Sequence, residues 1–179
     1  IGSSSTAAIQ QLTMKQKVVL VTPVSMLPKL SQNGDQYFFR VTATAPIREQ
    51  SFGEFVSKKL NAKTIAFLAS NEDLGRATVA AATKLYEQNG APKVVYTGYY
   101  DPSATDFSAE LNRIKSLNPD VLYIVANSVQ ASVIVKQVKV LQLQSKLIAS
   151  GEAATQEFLR LSQGAGEGMY IPVDWAVSF

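Results

Sequence analysis

Apolar and polar positions change rhythm at regular intervals along the chain. Short, nearly continuous apolar runs rich in Val, Ile, Tyr and Phe cover 17–23, 36–43, 63–70, 93–100, 120–127, 146–151 and 168–173, and they predict strands. Between them lie segments whose apolar residues recur every three or four positions, predicting helices at about 4–15, 47–60, 74–89, 106–117, 128–142 and 154–163. The ends of these segments carry stop signals. Phe107, Leu111, Ile114 and Leu117 form one apolar stripe after Asp106, and Asn118-Pro119 halts it; Asn89-Gly90 and Pro92 close the helix before. Strands that read as buried on both faces, separated by helices, imply βαβ units with right-handed crossovers. The predicted class is α/β, a mostly parallel sheet with flanking helices. The stretch from Pro23 to Thr44 breaks the rhythm with Pro28, Asn33-Gly34 and no helix, which places a lobe boundary near Val41–Ala45.

Composition narrows the function. The 179 residues suffice for one domain, or for one lobe and part of another, and 46% hydrophobic with 17% charged residues describes a folded chain. With neither His nor Cys, a Ser-His-Asp triad, a thiolate nucleophile and the common zinc sites are excluded within the chain. No metal or cofactor is expected: the glycines at 164–168 lack the spacing and the preceding strand of a dinucleotide fingerprint. The net charge of +3 is spread singly, with Lys58-Lys59 the one adjacent basic pair, so no nucleic-acid partner is expected. No apolar run approaches the ~20 residues of a membrane helix.

In open α/β sheets ligands sit at the carboxyl ends of strands, facing helix N-termini. Ser3, Ser4, Ser5 and Thr6 either cap the first helix or offer hydroxyls and the positive helix end to a carboxylate. Residues 22–26, 70–75, 126–130 and 150–155 fall at further strand ends. There Glu152 either favours a helix dipole or faces a ligand ammonium, and Asn71, Glu72 and Asp73 read as loop and cap before they read as a paired-carboxylate site. Tyr99, Tyr100, Asp101 and Trp175 line a cleft or pack a core. An enzyme acting through Asp73, Glu152 and Tyr100 would need a strongly shifted carboxylate, which no pattern here signals. The expectation is a protein that is not an enzyme.

The order GSSST … VTPVSMLPKL … YFFRVTATAP … AKTIAFLASNEDLG … DFSAELNRIKSLNPDVLYIV … KQVKVL … EGMYI resembles the middle of bacterial periplasmic leucine/isoleucine/valine-binding proteins. These are the type I solute-binding components of ABC importers. The resemblance implies an internal fragment of a two-lobed fold: 1–43 as the C-terminal part of lobe one, 44–173 as lobe two, and 174–179 as a segment returning toward lobe one. It implies capture of a small solute between the lobes, delivery to a membrane permease, and a periplasmic or extracellular setting, with a signal peptide and optionally a lipid anchor in the precursor. A truncated lobe one would cost stability or invite self-association.

Carried over position by position, Ser3 with its neighbour Ser4 matches the carboxylate-binding serines, and Val24 and Ser25 match the backbone stretch that meets the amino-acid group. Met26 stands where a hydroxyl residue is usual. Leu74 and Asn127 stand where aromatic residues are usual, and Glu152, or Gly151 one residue earlier, stands at the acidic position. The resemblance with these departures implies a small organic carboxylate, either an apolar amino acid or an aromatic or aliphatic acid lacking the amine. The same module serves as the sensing domain of receptors and of transcription regulators, which is the alternative reading.

Overall fold

A computed structural model describes residues 3–89 and 92–173, without the side chains of Ser4 and Asn89. The Asn89-Gly90 turn, Trp175, the 174–179 segment and the Ser4 side chain therefore lie outside the described residues. Helix α1 (Ser3–Gln16) precedes a two-stranded parallel sheet of β1 (Leu20–Thr22) and β2 (Phe38–Arg40), joined by a long loop with one short 3-10 turn, Pro28–Ser31. Val41 to Thr44 then lead to helix α2 (Ala45–Glu54), which has Pro46 at its start. It widens into a π-turn over Phe55–Lys59 where the sequence predicts regular helix. The wider turn presents Phe55 to Phe52 (5.8 Å, stacked) and to Tyr170 (5.3 Å).

The larger sheet runs β4 (Lys93–Tyr100), β3 (Thr64–Ser70), β5 (Val121–Val125), β6 (Lys146–Ala149), with every pairing parallel. The chain leaves β3 toward one side through α3 (Asp73–Asn89) and returns across it through α4 (Ser108–Leu117). Since parallel crossovers are right-handed, this reversal puts α3 on one face and α4 with α5 (Ser128–Val140) on the other. Strand residues alternate between the two resulting cores. Leu68, Leu122 and Ile124 pack on Leu111, Ile114, Ile134 and Phe158, while Ile65, Phe67 and Tyr123 pack on Phe52, Val56, Val79 and Tyr86. Three of the four predicted stripe residues of α4 are buried, but Leu117 is 48% exposed. It belongs to the last turn, just before the left-handed Asn118 (φ 44°) turns the chain toward β5.

Asp120 clamps the entrance to the sheet. Its Oδ2 accepts from the Lys63 and Thr64 amides at 2.7 and 2.9 Å, which holds the Asp120 carboxyl below its usual range. Helix α6 (Gln156–Ser162) is capped by Thr155, whose hydroxyl accepts from Phe158 N. The predicted strand at 168–173 is reduced to one parallel bridge, Ile148 to Tyr170. Gly168 at φ +77° before it and Pro172 after it leave no room for a longer ladder.

The small sheet differs from the large one in cover. Val21 of β1 and Phe39 of β2 are 56% and 54% exposed and Val41 just after β2 is 72% exposed, so this end of the molecule turns an apolar surface outward. The 179-residue chain by itself is therefore expected to associate with concentration in sedimentation velocity, and replacing Val21 and Phe39 by Thr should reduce that association. A monodisperse monomer at all concentrations would contradict this.

Candidate functional site

The loop from Pro23 to Ser31 is held by polar contacts to its carbonyls. Arg40, at the end of β2, donates to Ser25 O (3.3 Å) and Leu27 O (2.8 Å) and reaches the Ser31 hydroxyl. From α1, Gln10 Nε2 donates to Leu30 O at 2.8 Å, and the buried hydroxyls of Thr6 and Ser25 lie 2.5 Å apart. The Ser25 amide donates to Thr22 Oγ1. A backbone bond from Ala45 N, the first residue of α2, to Met26 O at 3.0 Å ties the loop to that helix. It fastens the loop to an otherwise orphaned helix-end donor.

This arrangement brings the N-termini of α1, α2 and α3 to a single cavity of about 350 Å³. Ser3, Ala45 and Asp73, the first residue of each helix, line it with Leu74. Met26 and Leu27 supply apolar wall. Aligned peptide dipoles make each helix start equivalent to roughly half a positive charge, so three of them favour an anion here. Leu74 is placed by a close approach of backbone: a Cβ at Gly75 would stand 2.1 Å from the Ser70 carbonyl oxygen, so only glycine lets α3 start this close to β3.

A second cavity of about 390 Å³ is lined by Val24, Thr42, Arg48, Gly151 and Glu152, among others. Glu152 sits in the 3-10 turn Gly151–Ala153 after β6, and its carbonyl accepts from Ser128 Oγ at 2.9 Å. Its Oε2 is buried and meets no hydrogen-bond donor among the described residues. Such an oxygen suits a cationic guest. Both alternatives for the acidic position, Gly151 and Glu152, line this cavity.

The candidates from sequence thus separate. Ser3, Met26 and Leu74 share the first cavity; Val24 and Glu152 share the second. Ser25 lies buried behind the loop on Thr6, and Asn127 caps α5, its Oδ1 accepting from Val129 N and Gln130 N at 3.0 and 3.1 Å. Tyr100 belongs to the core, where its hydroxyl donates to Val125 O and its ring meets Phe107 edge-on. Asp101 turns the loop by accepting from Ser103.

Two residues escaped the sequence reading. Arg40 looked like a scattered surface charge. Glu49 lies in the helix predicted over 47–60 and was not singled out there, yet it is 3% exposed. Its Oε1 accepts from Tyr123 Oη at 3.1 Å, while Oε2 meets no donor among the described residues. Burial pushes the carboxyl up to about 7 against the pull of Tyr123 and Arg48, and Glu152 pushes the same way as burial. No group of three or more acidic residues arranged to hold a metal ion occurs among the described residues.

Parallel sheet, chain reversal at β3 and converging helix N-termini define an α/β module with a crevice at its strand ends. The chain belongs to the periplasmic binding protein family, whose model matches residues 1–178. An amino acid binding protein of Pseudomonas aeruginosa is 22% identical over 94% of this chain and 44% of its own length. A leucine-binding protein structure from Thermotoga maritima superposes with a TM-score of 0.88 at 24% identity, over 96% of this chain and 48% of that one. The branched-chain amino acid binding protein LivJ of Streptococcus pneumoniae, in complex with isoleucine, gives 0.84 at 22%, over 95% and 48%. At such identity the structural likeness shows the fold alone. The chain spans less than half the length of the relatives it matches.

Two outcomes test this geometry. Gly75→Ala should cost about 1–3 kcal/mol by denaturant unfolding, because backbone and not a flexible side chain must yield; a neutral effect would mean α3 starts elsewhere. Glu49 keeps its proton in the fold to about pH 7 and, unfolded, loses it near 4.5. Its contribution is complete below about pH 4.5 and is lost as pH rises toward 7, a fall of about 3 kcal/mol. Thermal unfolding across pH 4–8 should show that fall, and Glu49→Gln should flatten it.

Proposed function

We propose that the chain is part of the solute-binding component of an ABC importer, and that its cleft takes a small carboxylate, an apolar α-amino acid above all. The carrying observation is the convergence of three helix N-termini and Ser3 on a cavity with apolar walls from Met26, Leu27 and Leu74. The dipoles and the Ser3 hydroxyl would receive the carboxylate, and the apolar wall would cover an aliphatic side chain. The donorless Oε2 of Glu152, in the second cavity, favours a ligand that reaches it with an ammonium over an acid lacking one. The names of the relatives, which bind amino acids or leucine, support the same choice.

The division of labour follows the expected lobes: residues 1–43 supply Ser3 and the 23–31 loop, and 44–173 supply Leu74 and Glu152. Nothing in this mode calls for catalysis. Binding and release between lobes would serve handover to a permease outside the cytoplasm, in keeping with the family.

Titration calorimetry with leucine and with 4-methylpentanoate, its counterpart without the amine, tests the reading. Ser3→Ala should weaken both about three- to tenfold, the worth of one hydrogen bond. Glu152→Gln should weaken leucine about tenfold or more and should not weaken 4-methylpentanoate. Absence of binding across a panel of amino acids and aliphatic acids would refute the proposal.

A further inference from the structure

Glu49 is buried one position after the cavity-lining Arg48, and the binding mode above makes no use of it. On the core side, Tyr123 of β5 donates to Oε1 at 3.1 Å. Tyr86 of α3, whose buried hydroxyl makes no hydrogen bond to a described residue, feels the Glu49 charge as well. On the cleft side its electrostatic neighbours are Arg48, adjacent in α2, and Glu152 beyond β6, and both line the 390 Å³ cavity. The two tyrosines are held neutral well above their ordinary range by burial, so the charges acting on Glu49 near neutral pH belong to the cavity wall. A carboxyl that is 3% exposed, with one oxygen lacking a donor, has little else to stabilise its ionised form.

We propose that Glu49 is a charge-sensing positioning residue of the cleft: the charge of the molecule held beside Arg48 and Glu152 decides whether Glu49 keeps its proton, and that proton in turn biases which charge the cleft accepts. This rests on the reading of the cleft as the solute site. A ligand ammonium at Glu152 offsets the negative charge that opposes ionisation of Glu49, so the proton leaves to solvent. An acid lacking the amine adds negative charge or draws on Arg48, so Glu49 takes a proton up. Linkage is reciprocal, so affinity for ammonium ligands rises with pH between about 6 and 8, whereas affinity for amine-free acids falls. Residence of either charge in the cavity is thereby made selective by a residue that touches neither.

Calorimetry at pH 7 in buffers of differing ionisation heat counts the protons. For a displacement of about one pH unit, leucine should release roughly 0.4 proton per molecule bound, 4-methylpentanoate should take protons up, and Glu49→Gln should do neither. Across pH 6 to 8 leucine affinity should rise about three- to tenfold in the wild type and stay level in Glu49→Gln. Leucine binding without proton exchange, or exchange that persists in Glu49→Gln, overturns the proposal. Failure of both probes to bind overturns the solute reading instead. The coupling is then decided without ligand, from the upper end of the pH-dependent fall in stability. A downward move of about half a unit or more in Glu152→Gln upholds it, and an unmoved profile overturns it.

Discussion

Strand β3 is the constraint on which the rest of the molecule depends, because it is flanked on both sides and buried on both faces. Its parallel neighbours, β4 and β5, are reached by crossovers of fixed hand. The chain must therefore send α3 to one face and α4 to the other, and the reversal opens a crevice at the carboxyl end of β3. Both ends of the strand are fastened by specific chemistry: Asp120 gathers the amides of residues 63 and 64 at the entrance, and Gly75 lets α3 begin against the Ser70 carbonyl at the exit. A strand free to slip by one residue would exchange its two cores and lose the crevice together.

The cleft is finished by the smaller sheet, and there polar contacts take the place of a large core. Arg40, Thr6 and Gln10 fix the loop after β1, and the Met26 carbonyl receives the first amide of α2. In the proposed mode the carboxylate is held in the first cavity by backbone dipoles, with no Lys or Arg among the described lining residues. The first cavity sets apolar Met26, Leu27 and Leu74 beside Asp73, whereas Arg48 and Glu152 line the second. The proposed preference for an ammonium-bearing carboxylate is the complement of this split.

Much of the architecture was legible in the chain. The apolar run at 63–70 is a central strand because seven consecutive buried or half-buried positions suit nothing else, and Asn118 ends α4 where the sequence places the stop. Other readings depended on neighbours. The run at 168–173 looked like a strand but forms a single bridge, Leu117 fits the stripe but not the burial, and the helix expected through residue 60 opens into a π-turn to place Phe55. Ser3, Met26 and Leu74 line one cavity although 71 positions of sequence separate the first from the last.

The sequence by itself determined the alternation of strands and helices, the parallel α/β class and the absence of imidazole and thiol chemistry, since these depend on residue type and local period. It also carried the family, through the order and spacing of its segments. Only the tertiary structure decided that Asn127 serves as a helix cap, that Arg40 clamps a loop and that Glu49 is buried beside Tyr123. Hydrogen-bond partners and desolvation are properties of what surrounds a side chain. The groups that surround these residues are brought there by elements far along the chain, so no local pattern records them.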